Sequence, residues 1–257
     1  MAADELYTKE WLEFYDKLFP EANYRSTFIM MNKVILNNNS KAKDILELAC
    51  GTGRYTRHFV NQGYKVLATD ISADAIRIAE QRAKGAKFQL LDMAEVNQKD
   101  AYDAAVCMFE SFRYNPSYKT CVRVLKNVYK SLRTNGLLFC DFCIYPPAKK
   151  SDVPSLHDKT TVGGGRIIVR DEFIYTEGDH DCREDKIKIL KKRWFGKPRL
   201  FQEKKIERSR LLRISEDQMI RMMASVGLET YEVVKGFQRN ADGSINQNSY
   251  LFVGVKK

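Results

Sequence analysis

Three carboxylates and two glycines occur in an order that suggests a ligand site. In "ELACGTG" Glu47 lies four residues before Gly51, and Gly53 follows. Asp70 closes "VLATD", nineteen positions beyond Gly51, and Asp92 closes "LLD". Glycines in such a turn remove side chains, so a bulky ligand can approach the backbone. A dinucleotide fingerprint needs a third glycine to seat a pyrophosphate at a helix start, but Thr56 stands there. A P-loop fails as well, because no Gly-Lys-Ser/Thr follows.

The acids describe the ligand further. A carboxylate at Glu47 repels a phosphate at short range and favours a cationic amine. Asp70, at a strand end, can accept hydrogen bonds from both hydroxyls of a ribose. Asp92 can accept from an adenine amino group while Met93 or Ile71 packs on the ring. Together these residues outline a pocket for adenosine joined to an amino acid, with no phosphate.

Positioning them requires alternating strands and helices. "DILELA", "YKVLATD", "KFQLLD", "YDAAVCMF" and "GLLFCDF" read as strands. Between them Arg54 to Asn61 reads as a helix closed by Gly63, Ser72 caps a second, and Ser117 to Leu132 forms a third burying Val122, Leu125, Val128 and Tyr129. Such a rhythm predicts a parallel sheet with helices on both faces. Ahead of it, Tyr7 to Phe19 and Tyr24 to Leu36 have helical spacing. After Pro146-Pro147 the rhythm changes: "GRIIVRDEFIY", "KIKILKKRWF" and "LFQEKKIERSRLL" are strand-like, which predicts an antiparallel sheet. Ser215 then caps a helix, and "LETYEVV" and "SYLFVGV" close the chain. The fold class expected is α/β, a doubly wound, Rossmann-like, mostly parallel seven-stranded sheet with an antiparallel β insertion after the fifth strand. Residues 1–147 hold the N-terminal helices and the core, 148–213 the insertion, and 214–257 the closing elements.

Composition limits the alternatives. The 257 residues carry a formal net charge of +10, and no window supplies the roughly 18 apolar residues of a membrane span. The start lacks a secretory signal, which points to the cytoplasm. Six cysteines lie mostly in apolar segments, which suits reduced, buried thiols, and Cys140 and Cys143 lack a second Cys/His pair for zinc. No metal is expected. From Lys186 to Arg213 twelve basic residues face two glutamates. This segment either keeps sheet edges soluble or meets an anionic partner.

The acidic first-strand turn, "ATD" and "LLD" resemble the class I S-adenosylmethionine-dependent methyltransferases. Flanking segments including "YDKLFPEANY", "AAVCMFESF" and "DFCIYPP" resemble the bacterial amino-sugar N-methyltransferases that act on nucleotide-linked deoxysugars. The resemblance implies S-adenosyl-L-methionine as cofactor, S-adenosyl-L-homocysteine as product, and a closing β-hairpin whose last strand is antiparallel. It places Tyr15 and Tyr24 over the cofactor as part of a lid, adds Ala49 and Met108 to the contacts of Glu47, Gly51, Gly53, Asp70, Ile71, Asp92 and Met93, and makes the inserted sheet the substrate platform. Ala49 replaces the first glycine of the usual pattern. The Gly-His pair of the sugar enzymes is replaced by Arg113 and Tyr114.

Methyl transfer from a sulfonium is an in-line displacement, so positioning dominates and no catalytic triad is expected. Near the reacting methyl the expectation places Glu110, Arg113 and Tyr145 against the acceptor and Tyr114 as the positioning or proton-handling group. The acceptor expected is a small molecule, methylated at an amine nitrogen and able to carry an acidic group, with the chain a monomer or homodimer. The alternatives are an RNA or protein methyltransferase that docks its substrate on 186–213, and a non-catalytic protein that keeps the pocket.

Overall fold

A computed structural model of the chain describes Leu12, Asp16 and residues 21–149, 156–162, 166–191, 199–238 and 245–257. The helix expected over Tyr7 to Phe19 lies outside these residues, except that Leu12 and Asp16 sit on helical turns. Helix α1 (Glu21–Asn38) extends beyond the expected Tyr24 to Leu36 at both ends.

Strand β1 (Asp44–Leu48) pairs in parallel with both β2 (Lys65–Asp70) and β4 (Tyr102–Cys107). Four of the five β1 residues are buried, because helices cover the sheet on both sides. β3 (Lys87–Leu90) extends the sheet beyond β2, and β5 (Leu132–Cys143) lies beyond β4. The closing hairpin, β10 (Leu228–Lys235) and β11 (Ser249–Lys256), completes the sheet, with β11 antiparallel to β5. The strand order is β10-β11-β5-β4-β1-β2-β3. The order reverses between β1 and β4, so the carboxyl ends of these strands frame a crevice.

Two apolar layers sandwich the sheet. Phe28, Met31 and Ile35 of α1 join Phe59 of α2 (Arg54–Asn61) and Ile76 of α3 (Ala73–Arg82) on one face. Val124, Leu125 and Val128 of α4 (Tyr118–Ser131) join Met219 and Met223 of α5 (Glu216–Ser225) on the other. Serine hydroxyls start three of these helices. Ser72 accepts from Ala75 N, Ser117 from Thr120 N, and Ser215 from Gln218 N, each at 3.2 Å. Gln218 returns a bond to Ser215 N at 2.8 Å, completing a capping box.

A second, antiparallel sheet of β6 (Leu156–Val162), β7 (Arg166–Glu177), β8 (His180–Lys191) and β9 (Arg199–Leu212) intervenes between β5 and α5. The sequence reading contains three of these strands. It lacks β6, whose "LHDKTTV" has too few apolar residues to stand out and lies on the sheet edge. The side chains of Lys186 to Arg208 lie outside what is described.

Candidate active site

The turn between β1 and α2 bends through left-handed backbone at Ala49 (φ 52°), Gly51 (φ 53°) and Gly53 (φ 76°). Only glycine adopts this region readily, so Ala49 holds its place against a local cost of about 1 kcal/mol. The two glycines do different work. A β-carbon on Gly51 would meet nothing within 4 Å, whereas one on Gly53 would lie 2.8 Å from the Ala79 β-carbon. Gly53 therefore admits α3, and it does not line the cavity that Gly51 faces.

Asp70 is fixed by that turn. Gly51 N donates to its Oδ2 at 2.8 Å and Ser72 N to its Oδ1 at 2.9 Å. Burial holds its carboxyl above the usual range, and these amides oppose the rise. Glu47 is more deeply buried. Thr56 Oγ1 donates to its Oε2 at 2.6 Å. Burial pushes the Glu47 carboxyl up to about 8, and the nearby Asp70 adds to the shift while Thr56 opposes it. Asp92 is exposed, and its Oδ1 accepts from Ala94 N at 2.8 Å, capping a short 3-10 helix at Met93–Glu95.

These groups border one cavity of about 350 Å³ at the carboxyl ends of the parallel strands. Of the residues singled out from sequence, Tyr24, Glu47, Ala49, Gly51, Asp70, Ile71, Asp92, Met93, Met108 and Tyr114 line it. Tyr15 lies outside the described residues. Ile71 is 44% exposed beside Asp70, so it offers the cavity an apolar platform.

Three residues expected against the acceptor lie elsewhere. Glu110 and Arg113 are buried in an ion-pair network. Arg113 donates from Nε to Leu212 O at 2.9 Å, from Nη1 to Cys143 O at 2.8 Å and Glu110 Oε1 at 3.3 Å, and from Nη2 to Asp181. Such a guanidinium, 1% exposed, is committed to joining the two sheets. Tyr145 borders a second cavity, with Arg213 and Gln218, on the other side of this network.

Leu12, Thr52, Arg54, Tyr55, Phe109 and Arg183, none of them expected from sequence, also line the first cavity. Arg54 lies over the Tyr24 ring at 3.8 Å and pairs with Glu21 at 2.9 Å. Phe109 stacks on Tyr24, with ring centroids 4.7 Å apart. Phe109 and Glu110 both have φ 60°, a rare conformation that turns the chain sharply after β4. Asp16 is held beside this wall: it accepts from Thr52 Oγ1 at 2.6 Å and pairs with Arg82. No spacing signals Arg54 or Arg183, because their directions are set by distant packing. Phe109 and Tyr55 had a weaker signal, being aromatic residues next to the expected turns.

Comparison with known proteins agrees with this geometry. Residues 45–136 match the methyltransferase domain family. It is 29% identical over 176 residues to the dTDP-3-amino-3,6-dideoxy-alpha-D-glucopyranose N,N-dimethyltransferase of Streptomyces fradiae, covering 67% of this chain and 68% of that protein. The chain spans about half the length of the first curated relatives it matches, such as YqeM of Bacillus subtilis, at 28% identity over 49% of this chain and 51% of that protein. In structure it resembles SAM-bound CalS10, an amino pentose methyltransferase of Micromonospora echinaspora, with a TM-score of 0.80, 16% identity and 98% of each chain covered. DesVI of Streptomyces venezuelae follows with 0.75, 19% identity and 96% and 97% covered, and both share the Rossmann-like fold. Among the described residues no cluster suits a metal ion, all six cysteines are free, and no helix is long and apolar enough to cross a membrane.

Proposed function

We propose that this methyltransferase-domain chain binds S-adenosyl-L-methionine in the cavity at the ends of β1, β2 and β3 and methylates an amine nitrogen of a small molecule. The observation that carries the reading is the convergence of Glu47, Asp70 and Asp92 on one cavity beside Gly51, with apolar Ile71, Met93 and Met108 between them. The residues present fit the cofactor. Asp70, oriented by two backbone amides, is suited to accept from ribose hydroxyls. Asp92 and Ile71 suit the base, Glu47 suits the cationic amino end, and Gly51 leaves room for the chain to approach closely.

When bound, the sulfonium supplies an electrophilic methyl carbon: the amine lone pair forms the N–C bond as the C–S bond breaks, the sulfur keeps that electron pair as neutral S-adenosyl-L-homocysteine, and the nitrogen loses a proton. The chain's own part is to orient and to exclude water. Tyr24, Phe109 and Arg54 stack into one wall of the cavity, and Asp16 holds Thr52 of its lining. Tyr114, on the rim after β4, is assigned the positioning or proton-handling role toward the amine. The second sheet, 148–213 with its flanks, is assigned as the acceptor platform. Support for an amine comes from relatives named as sugar-amine and glycine N-methyltransferases.

The test is turnover. With methyl-labelled cofactor and a panel of amino sugars and small amines, S-adenosyl-L-homocysteine and a methylated amine should form one to one. Tight binding of the homocysteine product without turnover of any amine, hydroxyl or macromolecular substrate would leave a binding protein instead.

A further inference from the structure

Asn115 lines the cofactor cavity together with Asp92 and Met93, although it is only 7% exposed. It follows the short 3-10 turn of Ser111–Tyr114 after β4. Its Nδ2 donates to Phe112 O at 2.8 Å and to Met93 Sδ at 3.3 Å. A carbonyl oxygen and a thioether sulfur accept but cannot donate, so the amide must turn its nitrogen towards them. The direction of Oδ1 is thereby fixed as well. Both bonds use Nδ2, and among the described residues no donor meets Oδ1.

Leaving a largely buried amide oxygen without a donor is unfavourable, and a ligand in the cavity that Asn115 borders can supply one. Asp92 directly precedes Met93 and presents the same kind of group. Its Oδ1 is engaged by Ala94 N at 2.8 Å, which leaves Oδ2 to accept from a ligand. Two acceptors therefore attend one apolar platform, Met93, and the amide among them cannot flip to become a donor. An exocyclic amino group on a purine carries two hydrogens and can satisfy both. An oxo group at the same position brings only lone pairs against them.

We propose that Asn115 Oδ1 accepts a hydrogen bond from the amino group of the cofactor's base and, with Asp92, makes the chain select an aminopurine over an oxopurine nucleoside. This rests on the S-adenosyl-L-methionine reading of the cavity and adds to it a residue that determines which base is admitted. Met93 packs on the ring, and Asn115, held to its sulfur, reads the ring's edge.

The experiment is calorimetric titration with three compounds: S-adenosyl-L-homocysteine, its S-inosyl analogue, in which an oxo group replaces the amino group, and the derivative monomethylated on that amino group. Both analogues should bind the unaltered chain about tenfold more weakly or worse, because a site built to bond a donor rejects a ligand lacking it. In Asn115→Ala the preference over each analogue should fall several-fold, and the methylated compound should recover most, since the shortened side chain also leaves room. If the alanine variant unfolds, Asn115→Ser decides: its hydroxyl can still donate to Phe112 O but is too short to reach the base, and the preference should fall likewise. Affinity for either analogue equal to that for S-adenosyl-L-homocysteine, or a preference unchanged in the folded variant, would overturn the proposal. Failure of the unaltered chain to bind S-adenosyl-L-homocysteine would instead overturn the reading beneath it.

Discussion

Gly51 N donates to Asp70 Oδ2 at 2.8 Å, so the turn after β1 and the acid that ends β2 form one unit across nineteen positions of sequence. Ser72 N holds the other oxygen. Asp70→Asn must present an NH₂ group to one of these amides, leaving a buried donor without its acceptor at about 1–3 kcal/mol. The variant should lose thermal stability and bind S-adenosyl-L-homocysteine about tenfold more weakly or worse. Calorimetry with unchanged affinity would detach Asp70 from the site.

Glu47 should make binding depend on pH. With its carboxyl pushed up to about 8, the free chain holds a proton there at neutral pH. A cationic ligand favours the ionised form, so binding at pH 7 should release up to one proton and affinity should rise with pH towards 8. Titrations in buffers of different ionisation enthalpy measure that release. Glu47→Gln should abolish it.

The same group sets a stability trend. The folded chain retains the Glu47 proton to about 8 while the unfolded chain releases it near the ordinary 4.5. Between these values the native state binds more protons, so this contribution to stability is present at low pH and is lost as pH rises. In Glu47→Gln that decline should flatten, as read by denaturant unfolding across the interval.

Gly51 and Gly53 should separate binding from folding. Gly53→Ala drives a β-carbon against Ala79 at 2.8 Å, and such overpacking costs about 1–3 kcal/mol beyond the backbone strain. Ala79→Gly should restore part of that loss. Gly51→Ala meets no such neighbour, so its thermal midpoint should move less while cofactor affinity falls more.

Asp16 should govern escape of the ligand. It pairs with Arg82 and accepts from Thr52, both anchored on the core, and so is itself fastened to the glycine turn that borders the cavity. Asp16→Asn removes a charge-assisted contact of about 1.5–3 kcal/mol. Stopped-flow release of S-adenosyl-L-homocysteine should accelerate about tenfold or more, and an unchanged rate would mean that the contact only braces the fold.

The core of the fold was legible because its signals are local. Strand-turn-helix punctuation placed Glu47, Asp70 and Asp92 at or near strand ends, and serine caps started three helices where sequence put them. The wall of the cavity was not legible. Arg113 reads as an acceptor contact beside Tyr114, yet its partners Asp181 and Leu212 lie 68 and 99 positions away. Arg183 lies just ahead of the basic segment, among Asp181, Glu184 and Asp185, and no spacing there hints that it turns inward to Glu110. A periodicity argument finds which face is buried, but it does not find which distant carboxylate an arginine will meet.

Calorimetric titration with S-adenosyl-L-homocysteine, NAD and ATP in parallel tests the central claim most directly. The account predicts tight binding of the homocysteine nucleoside, weakened in Glu47→Gln and in Asp70→Asn, with no comparable heat from either phosphate-bearing nucleotide. Tight binding of NAD or ATP with none of S-adenosyl-L-homocysteine would contradict it.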